Sequence, residues 1–137
     1  MTVDLASFTV KTPQREIFVD ITSKVSNIVS RGSISEGVCR VFVPHTTAAV
    51  TINENADPDV RLDIINILRE IAPQAGKVQL RHGEGNADAH LKSSIVGCCQ
   101  EILIHEKSLL LGTWQGIYFC EFDGPRTRQV HVQLHGE

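Results

Sequence analysis

From Arg128 to His135 the chain alternates without a break, with Val130, Val132 and Leu134 on one side and His131, Gln133 and His135 on the other. A period of two sends successive side chains to opposite faces, so this stretch is committed to a strand with one face in the core and one face outward. Such a strand needs partners, and the residues before it supply them. Glu101 to His105 and Ser108 to Leu111 flank a Glu106-Lys107 turn, Trp114 to Phe122 is a long run rich in aromatic and β-branched residues, and Asp123-Gly124-Pro125 is a turn. The last third therefore demands a largely antiparallel sheet.

The first two thirds mix strand and helix signals. Val3 to Val10 and Glu16 to Ile21 read as strands around a Thr12-Pro13 turn, with Phe8 and Val10 alternating against Thr9 and Lys11. Thr22 is placed as an N-cap, Val25, Ile28 and Val29 follow at helical spacing, and Gly32 closes a short helix. Val38 to Val43 is a strand stopped by Pro44, and Val50 to Asn53 is another. Asp57-Pro58 opens the longest helix, whose core stripe is predicted at Val60, Ile64, Leu68 and Ile71 and which ends before Pro73 and Gly76. Lys77 to Leu80 is predicted as a brief strand. A third helix is expected from an Asn86 cap to about Gly97, packing through Leu91, Ile95 and Cys98. The result is one α+β domain over residues 1–137, a mostly antiparallel sheet or two-layer sandwich with about three helices on it. That length suffices for a core without staples.

Charge and cysteine usage narrow the partners. A net charge of −3 with no run of Lys or Arg argues against a nucleic-acid protein, because phosphate backbones select a basic face. No segment has the length and apolarity of a membrane span, and Met1 to Val10 carries Asp4 where a signal peptide would be apolar. The cytoplasm is the expected address. Cys39, Cys98, Cys99 and Cys120 contain no C-x-x-C pair and sit among apolar neighbours, so they are expected as buried, reduced thiols.

Chemistry concentrates in Arg81 to Leu91, where His82, Glu84, Asp88 and His90 surround Gly83 and Gly85. His82 is placed at a strand end and His90 one turn into a helix, so the turn between them can bring the rings together. The N–H groups after Asn86 suit an anion. His45 beside Pro44 is a second candidate, since a strand end is rigid and open. Nothing resembles a nucleophile elbow or a P-loop.

Three blocks, His45-Thr46-Thr47-Ala48-Ala49 with Asn53-Glu54, His82 through Asp88-Ala89-His90-Leu91 to Gly97, and Leu111-Gly112-Thr113-Trp114-Gln115 with Asp123-Gly124-Pro125-Arg126, together resemble the YjbQ-like family, often labelled secondary thiamine-phosphate synthases. The resemblance runs nearly the full length. It implies a compact α+β fold, a homotrimer, and a pocket near subunit contacts built from His45, Glu54, His82, Asp88, His90, Trp114, Gln115 and Arg126. The implied activity joins a pyrimidine pyrophosphate to a thiazole phosphate with loss of pyrophosphate.

Two functional readings follow. In the first, His45, His82 and His90 hold a divalent metal, zinc-like or magnesium, with Asp88 or Glu54 as general base, and Arg126 with the N–H groups after Asn86 stabilises the departing anion. A metal-dependent hydrolase of a small metabolite is the variant of that reading, since a histidine cluster suits zinc better than the magnesium that accompanies pyrophosphate. In the second, a non-catalytic trimer captures a small phosphorylated or anionic metabolite through Thr46, Asn86, Gln115 and Arg126. Arg128 is an alternative anion partner that its strand position argues against. Trp114 is expected as a packing anchor near a pocket or interface.

Overall fold

The computed structural model covers residues 1–137. Its order is β1 (Thr2–Thr12), β2 (Ile17–Asp20), α1 (Thr22–Arg31), β3 (Gly37–Phe42), β4 (Ala48–Glu54), α2 (Pro58–Ile71), α3 (Ala87–Val96), β5 (Cys99–His105), β6 (Ser108–Leu109), β7 (Gln115–Glu121) and β8 (Arg126–Gly136). Every strand pair is antiparallel. Two sheets result, a five-stranded one in the order β1-β8-β3-β5-β6 and a three-stranded one in the order β2-β7-β4. The β5–β6 turn is made by Glu106 and Lys107, both at positive φ (49° and 63°), which is the backbone of a tight hairpin turn.

The alternation in β8 holds: Val130, Val132 and Leu134 are buried while His131, Gln133 and His135 are half-buried on the other face. These inward residues join Val41 and Cys39 of β3 against Val50, Ile117 and Phe119 of the smaller sheet, with Val25 and Val29 of α1 packed in. The smaller sheet is covered on its far side too. Tyr118 and Cys120 of β7 turn away from that core and meet Ile65 and Leu68 of α2 and Ala89 of α3. The fold is therefore three layers, sheet on sheet on helices, and β7 is buried on both faces, which explains its nearly continuous apolar run.

Several sequence expectations fail for identifiable reasons. Lys77 to Leu80 forms no strand: residues from 73 to 86 carry no helix or strand, and neither sheet takes them up. On α2 the expected Leu68 is buried and Ile64 is half-buried against the same core, but Ile65 is buried beside them and Ile71 is 60% exposed. On α3 the expected apolar stripe points outward, with Leu91 and Ile95 about half exposed, while Asp88, Ala89, Lys92 and Ser93 face inward. A polar face can be buried only if its charges are paired. Here the Lys92 ammonium reaches Asp88 at 2.8 Å and Glu16 at 3.2 Å, Arg15 adds a two-pronged contact to Asp88, and Ser93 donates to the Ala48 carbonyl. Cys39 and Cys120 are buried as expected, but Cys98 and Cys99 are exposed.

Gly97 makes the joint between α3 and β5. Its φ of 95° with ψ of 154° lies where a side chain is strained. The joint is held on both sides, by Val50 N–H to the Gly97 carbonyl at 3.1 Å and Val43 N–H to the Cys98 carbonyl at 2.8 Å. Gly97→Ala is expected to cost about 1–3 kcal/mol in chemical denaturation, from the backbone alone, since no atom lies within 4 Å of the added methyl.

Candidate functional site: a polar cleft around Arg128

A cleft of about 390 Å³ opens where the segment leaving β3, the start of α3 and the β7–β8 turn meet. Pro44, His45, Thr46, Thr47, Glu84, Asn86, His90, Asp123, Arg126 and Arg128 line it, and apart from the Pro44 ring every one of these side chains is polar or charged. These segments converge for reasons of register. Thr47 and Phe122 are tied by a backbone bond of 3.2 Å, and Ala48 pairs with Glu121, so the start of β4 is fixed beside the start of the β7–β8 turn.

Arg128 is the anchor. Its side chain is 6% exposed and lies against Glu121, which is fully buried. Nε donates to Glu121 Oε1 at 2.8 Å, Nη2 donates to Oε2, and Nη2 also reaches the Thr47 hydroxyl at 2.9 Å. Glu121 takes two more bonds, from the Thr12 hydroxyl at 2.7 Å and the Asp123 N–H at 3.1 Å. Four donors on one carboxylate meet the need of a buried charge. The third guanidinium nitrogen, Nη1, has no partner within the chain. Since no buried polar side-chain atom is left unsatisfied, Nη1 keeps its contact with solvent through the cleft.

Around it the other polar groups are held by one another. Asn86 is buried, and its amide nitrogen donates to Asp123 at 2.8 Å and to Glu84 at 3.4 Å, while its oxygen meets His82 Nε2 at 2.9 Å. It occupies the N-cap position of α3 but makes no capping bond there, because the side chain is spent on this cross-link. Arg126, half exposed, is clamped to Asp123 through Nε and Nη2, and its Nη1 is also unpartnered. The His82 and His90 rings meet edge to face at 5.5 Å, so the turn does unite the two imidazoles across eight positions. The ring nitrogens of His90 have no partner in the chain.

The three-histidine ligand set does not form. No group of three or more His, Cys, Asp or Glu side chains is arranged to hold a metal ion. The obstacle is specific at His45, whose Nε2 accepts the Gln129 N–H at 2.9 Å. A neutral ring with that lone pair occupied carries its proton on Nδ1 and has no lone pair left for a metal. His82 Nε2 is held by Asn86, which leaves Nδ1 as the one open nitrogen of that ring. The residues present therefore do not fit the expected group.

The proposed acids lie elsewhere. Asp88 is 1% exposed at its side chain and committed to Lys92 and Arg15, behind the helix wall. Burial works to raise its pKa, yet the bonds and charges of Arg15 and Lys92 outweigh this and hold the carboxyl below its ordinary value. Glu54 sits at the far end of β4, accepts the Ala56 N–H at 2.9 Å, and is paired in register with Gln115. Gln115 accepts the Gly112 N–H at 2.8 Å, and Trp114 beside it is 64% exposed, not packed on its own chain. Thr46, Asn86, Arg126, His45 and His90 are thus gathered in the cleft, while Glu54, Trp114 and Gln115 form a second group about 20 Å away along β4.

From sequence, Arg128 is argued against, Glu84 and Asp123 stand in the motifs without a role, and Glu121 goes unnoticed. A signal was present: Glu121 interrupts a run that is otherwise apolar from Ile117 to Phe122, and a charge there needs a buried opposite charge nearby. Arg128 lies across the turn from it.

The chain matches the family model described as "UPF0047 protein YjbQ-like" over residues 6–137. It is 50% identical over 133 residues to a UPF0047 protein of Methanocaldococcus jannaschii, covering 97% of this chain and 95% of that one. It is 46% identical over 132 residues to the UPF0047 protein YugU of Bacillus subtilis, covering 96% and 99%. Among solved structures, it is similar to an uncharacterised YjbQ/UPF0047 protein of Clostridium acetobutylicum, with a TM-score of 0.91 and 48% identity over 95% of this chain and 99% of that one. A YbjQ-like protein of unknown function from Sulfolobus solfataricus superposes with a TM-score of 0.94 at 34% identity, covering 99% of each chain. With the model matched almost end to end and relatives near half identical over their full length, the chain belongs to the YjbQ-like UPF0047 family.

Proposed function

We propose that the cleft binds a small phosphorylated metabolite and that the chemistry done there is group transfer with departure of a phosphate or pyrophosphate. The observation that carries this reading is the unpartnered Nη1 of Arg128, a guanidinium edge left open in an otherwise saturated buried pair. Arg126 Nη1, the free Thr46 hydroxyl and the His90 ring stand around the same space. Guanidinium groups match phosphate oxygens in shape and charge, and fixed donors act most strongly on charge that grows as a leaving group departs. The synthase activity implied by the family resemblance has that requirement. No step here is assigned to a metal, because the histidines do not supply its ligands.

The homotrimer belongs to the same reading. Glu54, Trp114 and Gln115 are too far along β4 to reach the cleft of their own chain, and a neighbouring copy could bring its own set to the cleft's rim. Exposed Leu91, Ile95 and Trp114 are apolar surface that such contacts would cover. The cytoplasm, where phosphorylated metabolites are held, is the address this reading assigns.

The experiment is a pair of measurements on Arg126→Gln. The variant is expected to weaken pyrophosphate binding by roughly tenfold in calorimetry, one charge-assisted bond's worth, while thermal stability stays nearly unchanged because Arg126 is half exposed. Formation of thiamine phosphate from the two precursors should fall in parallel. Pyrophosphate binding that ignores the substitution sinks the reading. Binding with no turnover by the native protein would reduce it to a non-catalytic anion-binding trimer.

A further inference from the structure

We infer that His45 is locked as a neutral imidazole with its proton on Nδ1, and that it serves the cleft as a fixed, uncharged hydrogen-bond donor to an oxygen of the bound anion. The donor role rests on the anion reading above; the ring's tautomer does not. Gln129 lies in β8, and its N–H points at His45 Nε2 at 2.9 Å. A nitrogen that accepts a hydrogen bond must offer a lone pair, so the proton of the neutral ring has to be on Nδ1. Protonating Nε2 would set one N–H against another and strand the Gln129 amide. Burial first, and then the neighbouring charge of Arg128, oppose the imidazolium as well and hold the pKa of His45 below its ordinary value.

Nδ1 has no partner within the chain, and His45 lines the cleft. The ring is half-buried, so its free edge is both oriented and accessible. His82 has the opposite assignment. Because Asn86 uses its nitrogen to donate to Asp123 and Glu84, its oxygen is the atom facing His82, and His82 Nε2 must carry the proton. Two histidines of one chain are thus fixed as opposite tautomers by neighbours that cannot change roles. An imidazole free in water favours the proton on Nε2, which makes the His45 state diagnostic. A neutral donor beside two guanidinium groups adds direction to charge: the arginines attract an oxyanion, and His45 specifies where one oxygen must lie.

The test uses native protein labelled with ¹⁵N-histidine and two-bond proton–nitrogen correlation near neutral pH, with His45 assigned by the loss of its signals in His45→Ala. The expected spectrum shows His45 with a protonated Nδ1 and an unprotonated Nε2, and His82 with the reverse; the exposed His105, whose Nδ1 faces the Glu36 carboxylate at 3.0 Å, is protonated on Nδ1 too and is told apart by the assignment. Inorganic pyrophosphate should then shift the Nδ1 resonance of His45, and His45→Ala should bind pyrophosphate about tenfold more weakly. A His45 protonated on Nε2, or on both nitrogens, overturns the inference. Pyrophosphate binding that leaves His45 Nδ1 unmoved overturns the donor role. A correct tautomer in a protein that binds no pyrophosphate by calorimetry overturns the anion reading, and the donor role with it.

Discussion

Arg128→Leu is expected to destabilise the fold by about 3–5 kcal/mol and to abolish anion binding, the largest effect of any single substitution considered. The cause is what the change leaves behind. Glu121 is fully buried and would keep only the Thr12 hydroxyl and the Asp123 N–H against its negative charge. Melting temperature should fall by roughly 10–20 °C. The combination Arg128→Leu with Glu121→Gln separates the two losses. Removing the stranded charge should recover about half of the stability by replacing the ion with a neutral amide, while pyrophosphate binding stays absent. A double variant no more stable than Arg128→Leu would show that the pair does not carry the cost, and a double variant that binds pyrophosphate normally would remove Arg128 from the site.

Lys92→Met should cost about 3 kcal/mol, with the loss growing in acid. Lys92 is 1% exposed and neutralises Glu16 and Asp88 together, and without it both carboxylates depend on Arg15 and on the exposed Arg69. Asp88 is held below its ordinary pKa in the fold. A carboxyl depressed in this way stabilises the fold fully above its unfolded value, about 3.9, and the contribution is lost as pH falls through the folded value. Native protein should therefore keep its stability from neutrality down to about pH 4 and lose it below. In Lys92→Met the burial that raises the Asp88 pKa meets less opposition, so the acid limb should move to higher pH. Denaturation midpoints recorded against pH check this directly; an unmoved limb would mean that Lys92 does not set the Asp88 charge.

What the sequence made legible follows from how local each signal is. Strand alternation in β8, the Asp57-Pro58 helix start and the Gly97 stop are written within a few residues, and each stands in the structure. The layer order was less readable, because a strand buried on both faces, such as β7, shows no alternation to say where its second cover lies. The third helix misled through a rule that holds only on average: Leu91 and Ile95 have helical spacing, but the buried face is the one whose charges find partners at Glu16 and Arg15, some seventy residues away. Within the site, His82, Asn86 and His90 could be associated because one turn holds them. Arg128 is less readable because a strand residue's facing depends on register, here with Val10 of β1, and Glu121 is hidden in an apolar run. Glu54 and Gln115 were grouped with the cleft by resemblance alone, and β4 separates them from it.

The most direct test of the account is a crystal structure of the protein with inorganic pyrophosphate. The prediction is one phosphoryl group in the cleft, hydrogen-bonded to the open Nη1 atoms of Arg128 and Arg126 and to Nδ1 of His45. A diphosphate found at another surface, with Arg128 Nη1 still facing water alone, would contradict it.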